Sequence, residues 1–159
     1  MQKSLFLTLA VLLLGTTSIT AEFIKVNSIA SLQNAISNAY PGDRIIIANG
    51  LYTTTGNIII SKQGNEEQPI TVEAETIGGV EIGGTHGFTI NSPSSYIIIK
   101  GFIFTHNTGR SRIETGATHC LITRNIFECV PAGTTGSKPY LSISGDDNEI
   151  SYNTFQNKK

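Results

Sequence analysis

The fold this sequence predicts is all-β, a right-handed parallel β-helix with a capping helix at its N-terminal end. Three observations carry the prediction. A pattern I-x-x-[FN]-x-F recurs at steps of a few tens of residues, the composition favours strands and tight turns, and one amphipathic stretch precedes the repeats.

In chain order, the first element is an export signal. After Lys3, residues 5–15 are almost wholly apolar, and the small, polar stretch 16–21 follows, which is the layout of a secretory signal peptide. The apolar core is shorter than the about 20 residues a membrane-spanning helix needs. Residues 1–21 therefore read as a cleaved address, residues 22–159 as one domain, and the expected location is secreted or periplasmic, without a membrane anchor. Lys and Arg number 11 against 12 Asp and Glu, so the net charge of −1 implies neither nucleic-acid binding nor attraction to a membrane surface. Abundant Ile, Thr, Asn, Ser and Gly with no Trp suit short strands separated by turns.

Ser28 is placed to N-cap a helix in which Ile29, Leu32, Ala35, Ile36 and Ala39 recur at roughly 3.6-residue spacing, with Pro41-Gly42 as its stop. A short helix there would cover the open end of the first coil, where unpaired edges and apolar core would otherwise meet water. Arg44-Ile45-Ile46-Ile47, Asn57-Ile58-Ile59-Ile60 and Ile70-Thr71-Val72-Glu73 follow as strands, with Gly50, Gly56 and Gly64-Asn65 as turn punctuation.

The repeat itself aligns Ile99-Lys100-Gly101-Phe102-Ile103-Phe104 with Ile122-Thr123-Arg124-Asn125-Ile126-Phe127 and Ile150-Ser151-Tyr152-Asn153-Thr154-Phe155. The steps are 122 − 99 = 23 and 150 − 122 = 28, the excess falling on the loop-rich residues 133–139. Ile90, Ile113 and Leu141, each nine residues before the corresponding Ile, read as a second column. Each repeat has room for strands and turns but not for a helix, so like residues should stack about 4.8 Å apart. Phe104, Phe127 and Phe155 would form an aromatic stack, and Asn125 and Asn153 a turn ladder. Cys120 and Cys129 could pair in an oxidising compartment, but a corner between their strands favours buried free thiols. Phe155 is followed only by Gln156-Asn157-Lys158-Lys159, so the expectation is a β-helix incomplete at its C-terminal side.

Several stretches carry a family resemblance over residues 26–155: Ser31-Leu32-Gln33-Asn34-Ala35-Ile36, Pro41-Gly42-Asp43-Arg44-Ile45 leading to Asn49-Gly50-Leu51-Tyr52, Gln68-Pro69-Ile70-Thr71-Val72-Glu73-Ala74-Glu75, and Gly78-Gly79-Val80-Glu81-Ile82-Gly83-Gly84. The sequence resembles the chondroitinase B-type polysaccharide lyases, a family that includes many alginate lyases. The resemblance implies a pectin-lyase-like solenoid and β-elimination at a uronic acid, with an acidic polysaccharide such as alginate or chondroitin/dermatan sulfate as partner. It also implies calcium to neutralise the uronate carboxylate, a Lys to remove the C5 proton and an Arg to assist the leaving oxygen. No position here matches the family's Lys, Arg or calcium ligands, so no catalytic residue is assigned and the chain by itself is expected to be inactive.

Among the residues left for binding, Arg110, Arg112 and Glu114 cluster at a coil edge after His106-Asn107-Thr108-Gly109, where a loop could reach an acidic sugar, although a solvated turn is the favoured explanation for them. Asp146-Asp147-Asn148-Glu149 resembles a patch of calcium-seeking oxygens, and turn-forming acids beside Gly145 explain it without metal, so no metal site is assigned. His86, His106 and His119 are scattered and lack a carboxylate or serine partner at a recognisable spacing. A non-enzymatic exported scaffold that binds carbohydrate, or another β-helix enzyme such as a pectate lyase or glycoside hydrolase, fits the same architecture.

Overall fold

The computed structural model describes residues 20–129 and 141–157. Most of the predicted export signal and the loop at 133–139 lie outside the described residues, as do the side chains of Cys129 and Asn157. Strand β1 (Phe23–Val26) comes first, then helix α1 (Ile29–Asn38). The first coil holds β2 (Arg44–Ile47), β3 (Gly50–Thr54) and β4 (Ile58–Ile60), and the second β5 (Ile70–Ala74), β6 (Val80–Gly84) and β7 (Phe88–Ile90). The third holds β8 (Ile97–Lys100), β9 (Phe102–Phe104) and β10 (Ser111–Ile113), and the fourth β11 (Leu121–Thr123), β12 (Ile126–Cys129) and β13 (Leu141–Ile143). A further turn begins with β14 (Glu149–Ser151) and β15 (Thr154–Asn157).

These strands form three parallel sheets that run the length of the stack: β1-β2-β5-β8-β11-β14, β3-β6-β9-β12-β15 and β4-β7-β10-β13. The chain is thus a parallel β-helix of about four turns. The Ile column of the repeat is realised in the first sheet, where Ile45, Val72, Ile99, Ile122 and Ile150 are successive register partners. The column starts two coils earlier than the repeated pattern shows.

The helix is made as its sequence requires. The Ser28 Oγ accepts from the Ser31 N–H at 3.1 Å while the Ser31 Oγ accepts from the Ser28 N–H at 3.1 Å, a capping box built from two serines. Leu32 and Ile36 are buried against the first coil, so α1 closes that end of the core. Strand β1, which the apolar pattern does not announce, pairs with β2 and extends the first sheet beside the helix.

The interior is mainly apolar, with a few buried polar side chains such as Ser94, Ser111 and Asn125. Phe104 and Phe127 stack with centroids 5.0 Å apart, and Phe127 and Phe155 at 5.1 Å and 8° between planes. Asn125, 1% exposed, works as a ladder rung: its Oδ1 accepts from Phe102 N–H at 3.0 Å and its Nδ2 donates to Ile99 O at 3.0 Å. Asn153 repeats the arrangement one coil on, accepting from Asn125 N–H at 2.9 Å and donating to Ile122 O at 2.7 Å.

Two expectations need correction. The second column continues from Ile90 and Ile113 to Ile143, while Leu141 lies opposite Ser111. The connection from the third sheet to the next first-sheet strand is nine residues from Ile113 to Ile122 but seven from Ile143 to Ile150, so a fixed count of nine slips by two; the side-chain face survives because strands have period 2. Gly50 is the first residue of β3, in register with Val80, rather than a turn.

Candidate functional site

Arg110, Arg112 and Glu114 lie at alternate positions on and beside β10, where Ser111 and Ile113 point inward and are fully buried. Arg112 therefore sits on a strand face, in register with Thr89 and Ser142, and not in a turn. The alternation of Ser111, Arg112 and Ile113 is too short to announce a strand, which is why the sequence reads there as a loop. Arg112 Nη1 and Glu114 Oε1 are 3.2 Å apart, each side chain more than a third exposed. The Arg112 Nε and the Thr89 Oγ1 beside it are buried without hydrogen-bond partners. Arg110 shares the face, half-buried, without joining the pair.

On the outward face of the first sheet, Glu73 is buried between cations from both neighbouring strands, Arg44 on one side and Lys100 at 3.4 Å on the other. Both carboxylate oxygens are engaged, which lets a central strand carry a charge that desolvation would otherwise penalise.

The histidines are less scattered than their numbers suggest. His86 and His106 follow the second-sheet strands β6 and β9 on successive coils and interact electrostatically. His86 Nδ1 is 2.7 Å from Thr85 Oγ1, while His106 Nδ1 is buried without a partner and its ring meets Phe104 edge-on at 5.9 Å. A Cβ on Gly87 would stand 2.6 Å from His106 Cε1, so the bare glycine makes room for the imidazole. Burial, with His86 adding to it, lowers the His106 pKa to about 4. His119 stacks on Tyr96 at 4.8 Å.

At the corner before β14, Asn148 Oδ1 accepts from Cys120 N–H at 2.8 Å and its Nδ2 donates to Ala117 O at 3.0 Å. Asp147 takes φ 54°, and Glu149 is the first residue of β14. Asn148 is thus committed to the ladder, and among the described residues no group of three His, Cys, Asp or Glu side chains converges as metal ligands. Cys120 is a buried free thiol whose Sγ lies 3.3 Å from Thr118 O, and burial pushes its pKa up.

A stack of about four coils with one short helix at its end, an apolar interior and polar side chains ranked along its outer faces defines the class of parallel β-solenoids. The chondroitinase B family model matches residues 26–159, and the chain belongs to that family. Among solved structures, a point variant of the PL6 family alginate lyase AlyGC superposes with a TM-score of 0.71 at 23% identity, over 84% of this chain and 19% of that one. A mannuronic acid specific polysaccharide family 6 lyase from human gut microbiota gives 0.60 at 20% identity, over 80% and 30%. The PL6 family polysaccharide lyase Pedsa3628 from Pseudopedobacter saltans gives 0.54 at 16%, over 84% and 46%. The chain thus spans less than half the length of each of these structures. No curated protein matches it.

Proposed function

We propose that the chain is the N-terminal portion of a polysaccharide lyase that cleaves a uronic-acid polymer, alginate or chondroitin/dermatan sulfate, by β-elimination. The family match over residues 26–159 carries this reading. Residues 1–21 would direct the protein to secretion or the periplasm; among the described residues no helix is long and apolar enough to cross a membrane. In this reading the described coils serve as cap and scaffold and are inactive alone. Arg110 and Arg112 contact sugar carboxylates, with Glu114 holding the Arg112 guanidinium in place. Any calcium requirement belongs to the longer protein.

β-Elimination leaves a C4–C5 double bond conjugated with the carboxylate, so ultraviolet absorbance reports it. The test incubates this chain, and the longer gene product of which it is a part, with alginate and with dermatan sulfate. Unsaturated product is expected from the longer protein and not from this chain alone. A longer protein that produces none from either polymer would overturn the lyase reading and favour a carbohydrate-binding scaffold. Turnover by this chain alone would overturn its inactivity.

A further inference from the structure

The corner between the first and second sheets carries a column of left-handed residues: Gly78 at φ 75°, Gly101 at 85°, Arg124 at 54° and Tyr152 at 56°. The register places them one above another. Gly78 N–H donates to Gly101 O at 2.8 Å, Lys100 pairs with Thr123, and Thr123 pairs with Ser151. Left-handed backbone suits glycine and is disfavoured for any side chain with a Cβ, most of all a bulky one. Two coils use glycine here and two use Arg and Tyr. The corner before the first sheet repeats the conformation at Tyr96, φ 53°, His119, 55°, and Asp147, 54°, so the turns of the coil enforce it and the backbone by itself marks no ligand; the side chains have to be accounted for separately.

What the two side chains do in the fold does not account for them. Tyr152 is 83% exposed, Arg124 is also exposed, and neither side chain has a partner among the described residues. Next to them, Gly101 leaves a ledge: a Cβ there would reach Ala74 Cβ at 3.4 Å and Ile77 Cγ1 at 3.7 Å, and Ile77 itself is 58% exposed. An open apolar step, a free guanidinium and a free phenol ring thus follow one another at the coil spacing of about 4.8 Å. That spacing is close to the advance of one sugar unit in an extended chain.

We infer that this corner is a binding strip for a linear acidic oligosaccharide laid along the helix axis. Arg124 takes a sugar carboxylate through a paired guanidinium contact, Tyr152 stacks on the apolar face of the neighbouring ring, and the ledge at Gly101 and Ile77 receives the next unit. The inference rests on the acidic-polysaccharide reading above and assigns a place on these coils to that ligand.

Glycine is the residue the corner already uses on two coils, so Arg124→Gly and Tyr152→Gly remove the side chains while relieving the backbone. Binding of a mannuronate hexamer to the full chain is measured by calorimetry at low and high salt, with a neutral cellohexaose control and thermal melting as the check on folding. Each variant is expected to bind the hexamer about tenfold more weakly, a difference calorimetry resolves readily, without a lower melting temperature. Arg124→Gly should also flatten the salt dependence. If both variants keep the parent's affinity, the strip is overturned while the acidic-polysaccharide reading stands. If the parent binds no hexamer, or binds cellohexaose equally, both are overturned. Should a glycine variant melt lower, Arg124→Gln and Tyr152→Phe decide: loss with the first and retention with the second support the strip, and the reverse overturns it.

Discussion

Asn125 ties neighbouring coils together with one amide, and its replacement tests how much such a rung is worth. In Asn125→Ala the buried Phe102 N–H and Ile99 O lose their partners. Each orphaned group costs about 1–3 kcal/mol, so a loss of about 3 kcal/mol is expected in urea unfolding; a loss below 1 would show that water repairs the gap. His106 makes a prediction of opposite character, because it concerns a proton. Its folded pKa of about 4 lies below the ordinary 6.5, so the folded state binds fewer protons than the unfolded one. Its contribution is complete above pH 6.5 and is lost as pH falls towards 4. Allowing for partial exposure, the parent should lose about 2 kcal/mol more than His106→Gln between those limits. Parallel stability curves for the two proteins would exclude the effect.

At the scale of elements, the helix and the Ile column were legible and the outer faces were not. Helix α1 announces itself because Ser28, the spacing of Leu32 and Ile36 and the Pro41-Gly42 stop all agree. The Ile99, Ile122 and Ile150 column is readable because the same inward slot recurs with the same chemistry. Strand β10 shows only a short alternation, and β1 looks like any exposed tetrapeptide, so neither carries a signal of its own. Arg124 and Tyr152 were overlooked although Gly101 occupies the same position of the repeat, a hint of left-handed backbone that alignment by apolar residues passes over. The site candidates of β10 were found by charge, and only the register shows them on a strand face. For α1, Ser28→Ala should cost about 1 kcal/mol, whereas Leu32→Ala, which opens the capped end of the core, should cost about 2–5 kcal/mol. A helix held mainly by its cap rather than by burial would reverse that order in chemical denaturation.

At the scale of the molecule, each coil packs chiefly on the coils before and after it, so energetic coupling should fade with coil number. Val72, Ile99 and Ile122 occupy one column on successive coils. In double-mutant cycles with valine or alanine, Ile99 and Ile122 should couple by about 0.5 kcal/mol or more, whereas Val72 and Ile122, two coils apart with Ile99 between them, should add to within about 0.5 kcal/mol. Strong coupling across the gap would mean that the stack responds as one block.

The position of α1 has a consequence for how such a molecule is built. A chain synthesised from its N-terminus makes the lid first, and Leu32 and Ile36 seal one mouth of the core as soon as the first coil closes. Every later coil then lays its first-sheet strand on the preceding one, 23 to 28 residues behind it. The growing solenoid therefore exposes a single sticky rim throughout its assembly, and always at the end where the next segment of chain arrives to cover it.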